Sequence, residues 1–172
     1  MRFKTLVEFF EKIEKVSSRL KMTGLLAELF KEADSDEIAR VIYLSQGQLA
    51  PPHQQIEIGM GEKFVEEAIA KAGGYTKEEV HKAFKEKGGL GLVAEGILAK
   101  KKQHSLFSAE LTVEKVFRNL MKIATASGKG SQELKIKLLA ELLNSATPLE
   151  ARYPVRVPLG NLRLGIGDPT MM

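Results

Sequence analysis

The chain has 172 residues, 44% of them hydrophobic, enough for one domain to bury a core of its own. With no cysteine it can hold neither a disulfide framework nor a thiolate-bound metal, and His53, His81 and His104 lie too far apart to suggest a zinc site. The net charge of +4 is unevenly spread: residues 1–99 carry fourteen Lys and Arg against sixteen Asp and Glu, residues 100–172 twelve against six. The positive field therefore belongs to the second half, which suits an anionic partner such as nucleic acid and equally suits a solvated lysine-rich surface. No apolar stretch is long enough for a signal peptide or a membrane span, so a soluble, cytoplasmic protein is expected.

The spacing of Phe3, Leu6, Phe9, Phe10, Ile13, Val16 and Leu20 predicts one buried helix face, with Glu8, Glu11, Lys12 and Lys15 in water. Leu25 to Phe30 continues the helical pattern. Lys71–Tyr75 and Glu86–Gly91 read as short glycine-rich connectors, and Thr76 three residues before Glu79 as a capping box. A helix opens at Thr112, a glycine-rich turn follows at Ser127-Gly128-Lys129-Gly130-Ser131, and Thr147-Pro148-Leu149-Glu150 adds a helix-starting proline to a second capping box. Asp168-Pro169 has the form of another helix start, as if the natural chain continued. No alternating β-branched run occurs. The expected class is all-α, a single domain of nine or ten helices.

The chain also repeats itself. Leu25-Leu26-Ala27-Glu28-Leu29 and Leu138-Leu139-Ala140-Glu141-Leu142 are identical at a shift of 113 positions, which also carries Glu37 onto Glu150 and Gly47 onto Gly160. Upstream, Val7-Glu8 pairs with Val113-Glu114 if the second copy has extra residues around Gly128 to Glu133. Downstream, Gly59-Met60-Gly61 pairs with Gly165-Ile166-Gly167. The expected architecture is two related units, about 7–62 and 113–172, packed with pseudo-two-fold symmetry, the first extended by helices up to residue 102.

Each Gly-x-Gly stands just before an acidic residue that opens the next helix pattern. Glycine permits a positive φ and leaves no Cβ in the way, so a phosphate can approach the unsatisfied N–H groups of a helix start. Taken singly, each is better read as an ordinary helix connector; as a duplicated pair they could hold two backbone tracks of one duplex. Asn161 and Arg163, following Gly160, and Lys129, Ser131 and Lys135 supply phosphate-binding groups in the second copy. With eight Phe, three Tyr and no Trp, mostly at core spacing, a single-strand stacking platform is not indicated.

The ordered series Leu111-Thr112-Val113-Glu114-Lys115-Val116, Ser127 to Gln132, Lys135 to Leu143, Pro148 to Tyr153 and Leu162 to Asp168 resembles the N-terminal DNA-binding domain of archaeal-type ATP-dependent DNA ligases. The likeness spans essentially the whole chain. It implies an all-helical domain that contacts the minor groove on both sides of a nick through paired helical hairpins. The residues it implies are Gly128, Lys129, Gly130, Ser131, Lys135, Gly160, Asn161, Arg163, Gly165 and Gly167, with Gly59 and Gly61 as the weaker first-copy counterpart. No Lys-x-Asp-Gly nucleotidyl-acceptor motif occurs, so the adenylation lysine is expected beyond Met172. ATP and Mg2+ belong to a full-length parent, and this chain alone should bind nicked DNA as a monomer without sealing it. Pro154 and Pro158 depart from the pattern: a proline within a helix costs ~3 kcal/mol, so the helix opened by Pro148 should be short or kinked.

Between the copies, Gln103 followed by Leu106 and Phe107 resembles the sliding-clamp peptide of archaeal ligases, although Ala109 and Glu110 stand where the general motif has aromatics. Equally, Leu106 and Phe107 could tuck against the helix opening at Thr112. The competing function is a helical protein-interaction scaffold, which the duplication would serve as well. An independent hydrolase or transferase finds no nucleophile with a plausible base or metal site.

Overall fold

In the computed structural model, the described residues are 1–50, 58, 60–101, 109–162 and 164. Among them are nine helices: α1 (Phe3–Glu14), α2 (Arg19–Glu32), α3 (Ile38–Ser45), α4 (Glu62–Gly73), α5 (Lys77–Lys87), α6 (Leu90–Lys100), α7 (Val113–Thr125), α8 (Ser131–Asn144) and α9 (Pro148–Leu159). Their apolar faces meet in one continuous core, which makes an all-α single domain. The β pairing among the described residues is one antiparallel bridge, Arg2 with Thr112.

That bridge joins the starts of α1 and α7. Phe3 N–H donates to the Leu111 carbonyl at 2.9 Å and Val113 N–H to the Met1 carbonyl at 3.0 Å. A pair of reciprocal hydrogen bonds of this kind sets the two helices on either side of a local two-fold. The packing follows the same exchange: α1 meets α2 as α7 meets α8, while α3 of the first half packs on α7 and α9 of the second half packs on α1.

The first helix ends earlier than its apolar spacing predicts. Phe3, Leu6, Phe10 and Ile13 are buried as expected and Val7 joins them, but α1 stops at Glu14 and Leu20 lies in α2 with 84% of its surface exposed. The reason is local: Ser18 Oγ accepts from Lys21 N–H and starts a new helix, as serine at an N-cap does. Apolar periodicity runs across this break without registering it.

The upstream register of the repeat is also corrected. With the bridge as origin, Phe3, Leu6, Phe10 and Ile13 fall on Val113, Val116, Leu120 and Ile123, all buried. Val113 therefore answers to Phe3, not Val7. The second copy needs only Gly128-Lys129-Gly130 as extra residues to reach the 113-position shift.

Pro154 and Pro158 do not shorten the last helix. α9 is α-helical without a break over 12 residues, with both prolines buried. Packing outweighs the lost N–H donors: α9 lies against α6, α1, α8 and α7, and seven of its residues are buried. Both threonine capping boxes, at Thr76 and Thr147, form as expected, with Pro148 in the first turn of α9.

α6 reaches α9 through Gly91. A Cβ there would stand 2.8 Å from the Arg152 carbonyl oxygen and 2.6 Å from Arg156 Nε. Close approach, rather than a turn, is what requires glycine at this position.

Candidate nucleic-acid interface

The α7–α8 turn carries the densest group of expected contacts. α7 runs out at Thr125, and Gly128 and Gly130 then take φ of +84° and +82°. Only glycine adopts that region freely. An added Cβ would meet nothing within 4 Å at either residue, so backbone sign, not crowding, fixes glycine here, and the outer surface of the turn is open. Ser127 to Gly130, Lys129 included, are exposed, and Ser131 is half-buried.

α8 begins at Ser131 with Gly130 as N-cap and no side-chain cap. Its first intrahelical bond is Leu134 N–H to the Gly130 carbonyl. Ser131 N–H turns back to the Gly128 carbonyl at 3.3 Å, while the N–H groups of Gln132 and Glu133 have no helical acceptor and gather partial positive charge at the turn. Lys135 is half-buried and Lys137 exposed on the same helix.

The hairpin that bears this turn is held from within. Asn119 of α7 is fully buried and its Nδ2 donates to the Leu138 carbonyl of α8 at 3.1 Å. Lys115 Nζ reaches Glu141 Oε1 at 2.6 Å across the same pair, and that hydrogen bond holds the Glu141 carboxyl below its ordinary pKa.

The α9 turn is built differently. Gly160 has φ +69°, with its N–H bonded to the Val157 carbonyl and Asn161 N–H to the Arg156 carbonyl, a Schellman termination. The first copy repeats it: Gly47 has φ +71°, with Gly47 N–H bonded to Leu44 and Gln48 N–H to Tyr43. Gly160 is exposed, but Asn161 is half-buried and its Oδ1 is enclosed without a hydrogen-bond partner, as is Oε1 of its counterpart Gln48. Asn161 lines a cavity of about 380 Å3 together with Glu14, Gly91 and Arg156.

Gly61 is the N-cap of α4 at φ −79°, an extended conformation open to any residue. Arg163, Gly165, Gly167 and Gly59 lie outside the described residues, as do Gln103, Leu106, Phe107 and the Asp168-Pro169 helix start.

Sequence reasoning passed over two features. One is the α1–α2 turn at Lys15–Ser18, the structural counterpart of the α7–α8 turn, whose signal was the Ser17-Ser18 pair. The other is the ionic girdle that fixes α9. Arg152 donates from Nε and Nη2 to both Glu95 oxygens at 2.6 and 3.0 Å and from Nη1 to Glu14 Oε2 at 3.1 Å, while Arg156 pairs with Glu14 Oε1. Tyr153, enclosed between both guanidinium groups and the edge of Phe10, has its phenol pKa pushed up by burial and by the charge of Glu14. The residues of this girdle are far apart in sequence, and no motif announces them.

No group of three or more potential metal ligands gathers among the described residues. None of the described helices is long and apolar enough to cross a membrane.

Comparison with known proteins completes the picture. Residues 2–172 match the family model described as DNA ligase N terminus. The chain is 45% identical to a DNA ligase of Acidianus ambivalens and 46% identical to one of Sulfurisphaera tokodaii, each match covering 100% of this chain and 30% of the relative. It is 44% identical to a probable DNA ligase of Dictyoglomus turgidum, over 100% of this chain and 28% of the relative. The chain thus spans about 30% of the length of these relatives, and it belongs to the family of DNA ligase N-terminal domains.

Proposed function

We propose that the chain is the duplex-gripping domain of an ATP-dependent DNA ligase, binding nicked DNA through the phosphate backbone and minor groove without regard to sequence. The match of residues 2–172 to the ligase N-terminal family carries the reading. The open, doubly left-handed turn at Gly128–Gly130 supports it, because an exposed lysine stands there beside the helix start, whose Gln132 and Glu133 N–H groups have no helical acceptor. Arg163, Gly165 and Gly167 are further contacts of the same proposal, with Gly59 and Gly61 as the weaker counterpart.

Nick sealing, ATP and Mg2+ belong to the complete ligase. This chain has no Lys-x-Asp-Gly motif to accept a nucleotide, and its share of the reaction is to hold the duplex as a cytoplasmic monomeric module. Gln103, Leu106 and Phe107 form a docking peptide for a ring-shaped sliding clamp in the same proposal.

The test is a titration of nicked-duplex affinity against ionic strength. Affinity should fall steeply with salt and be the same for unrelated sequences. Lys129→Ala and Arg163→Ala should each weaken binding uniformly, reducing the slope of log K against log salt by roughly 0.9 for each phosphate that is no longer neutralised. No binding at low salt, or two variants as tight as the parent, would reject this interface and leave the scaffold reading.

A further inference from the structure

We infer that the hollow bounded by Lys71, Lys100 and Lys101 is a further backbone contact for duplex DNA, at the opposite end of α8 from the Gly128–Gly130 turn; the inference rests on the duplex-binding reading above. The hollow measures about 620 Å3. Three helices end around it, α4 at Gly73, α6 at Lys100 and α8 at Asn144.

Lys101 is already engaged. Its Nζ donates to the Ala72 carbonyl at 2.8 Å and to Asn144 Oδ1 at 3.3 Å, tying the end of α4 to the end of α8. Lys71 and Lys100 are exposed and have no ion-pair partner among the described residues. The acids nearest to them along their own helices are committed elsewhere: Glu67, one turn before Lys71, pairs with Lys77, and Glu95 of α6 pairs with Arg152. No carboxylate lines the hollow among the described residues, and the sequence after Lys101 adds Lys102 and no acid before Glu110.

Lysines at helix C-termini can serve simply to offset the helix dipoles, and magnitudes decide against that as their whole role. Each C-terminus counts as about −0.5 charge, so the three helix ends supply about −1.5 against three ammonium groups. The surplus of about +1.5 calls for an anion from outside the domain.

The lining selects which anion. Ala72 is buried and Tyr75 half-buried, and the other lining groups are glycines, lysines and Asn144. A protein partner would find little apolar surface to anchor on, whereas phosphates need only cations and open backbone. Gly74 has φ +74° and an added Cβ there would meet nothing within 4 Å, so the turn that leads out of α4 is open. The reach also fits. The 14 residues of α8 put about 20 Å between its ends, less than one helical turn of a duplex at about 34 Å. One duplex can therefore meet both the Gly128–Gly130 turn and the lysine hollow, at different stretches of its backbone.

The experiment measures nicked-duplex affinity of the chain at several salt concentrations for the pair Lys71→Ala/Lys100→Ala and for Lys71→Arg/Lys100→Arg. Lys101 is left in place because it holds α4 to α8. If each lysine neutralises a phosphate, the alanine pair should reduce the slope of log K against log salt by roughly 1.8 and bind more weakly at every salt below the crossing point of the two lines. The arginine pair should keep the parent's slope. Thermal midpoints of the alanine pair should not fall, since neither lysine has a partner to lose. An alanine pair with the slope and affinity of the parent overturns the inference and leaves the hollow to an acidic protein, and so does an arginine pair that binds as weakly as the alanine pair. If the parent itself fails to bind at low salt, the duplex-binding reading falls and takes this one with it, a result that needs no variant to recognise.

Discussion

Arg152 ties three helices together through ion pairs. Its side chain is 13% exposed and bridges Glu95 of α6 and Glu14 of α1 to α9. Removing Arg152 leaves Glu95 without this partner and Glu14 with Arg156 alone, and a half-buried carboxylate that loses its partner costs more than the pair itself is worth. Arg152→Met should therefore lower stability by about 2–4 kcal/mol, the lower part of the buried-pair range extended for its residual exposure. Arg118→Met is the control: Arg118 pairs with Glu114 one turn away, with both side chains more than half exposed, and its loss should cost less than about 0.5 kcal/mol. Urea denaturation of the two variants measures the contrast, and equal losses would mean that the Arg152 girdle is no more than a surface feature. The same contrast explains what sequence could reveal about residues. Thr76 and Thr147 were legible because capping is a relation between neighbours three apart, whereas Arg152 and Glu95 are 57 residues apart and meet only through the fold.

At the level of elements, helix class and most helix starts could be read directly, and the errors have physical causes. Apolar spacing carries α1 on to Leu20 because a 3.6-residue period holds no phase information across a short turn, so the serine cap had to be weighed against it. Propensity breaks α9 at Pro154 because it describes an isolated helix, while this one is enclosed by four others. Glycine is the sharpest case, since one residue type serves opposite purposes in α2 and α6. Gly24 is a bare position in an exposed face, and Gly24→Ala should raise stability by about 0.5–1 kcal/mol. Gly91 sits where α6 meets α9, and a Cβ added there would stand 2.8 Å from a backbone oxygen that cannot move aside cheaply. Gly91→Ala should instead destabilise by about 1–3 kcal/mol through overpacking. Denaturant midpoints decide the matter: shifts of the same sign for both variants would show that intrinsic propensity, and not the α6–α9 approach, sets the cost at Gly91.

Across the whole molecule, the duplicated halves are alike in backbone and unlike in charge. Both copies end their third helix in the same Schellman turn, at Gly47 and Gly160, and both present a hairpin beside the Arg2–Thr112 bridge. The second hairpin, however, carries the Gly128-Lys129-Gly130 insertion and belongs to the half with twelve cations against six anions, while the first belongs to the half with fourteen against sixteen. Lys15 is, moreover, already 3.9 Å from Glu11. On the proposed duplex-binding reading, a scaffold with such an asymmetric field should grip a duplex unequally, the second hairpin more by charge than the first. The double variants Lys15→Ala/Lys21→Ala and Lys129→Ala/Lys137→Ala remove the same formal charge from the two hairpins and so isolate that difference. If Lys129 and Lys137 each neutralise a phosphate, their removal should reduce the salt slope by roughly 1.8, and removal of Lys15 and Lys21 by less than about 1. The affinities at low salt should order the same way. Equal changes for the two pairs would mean that the duplex responds to the symmetry of the backbone and not to the charge laid over it.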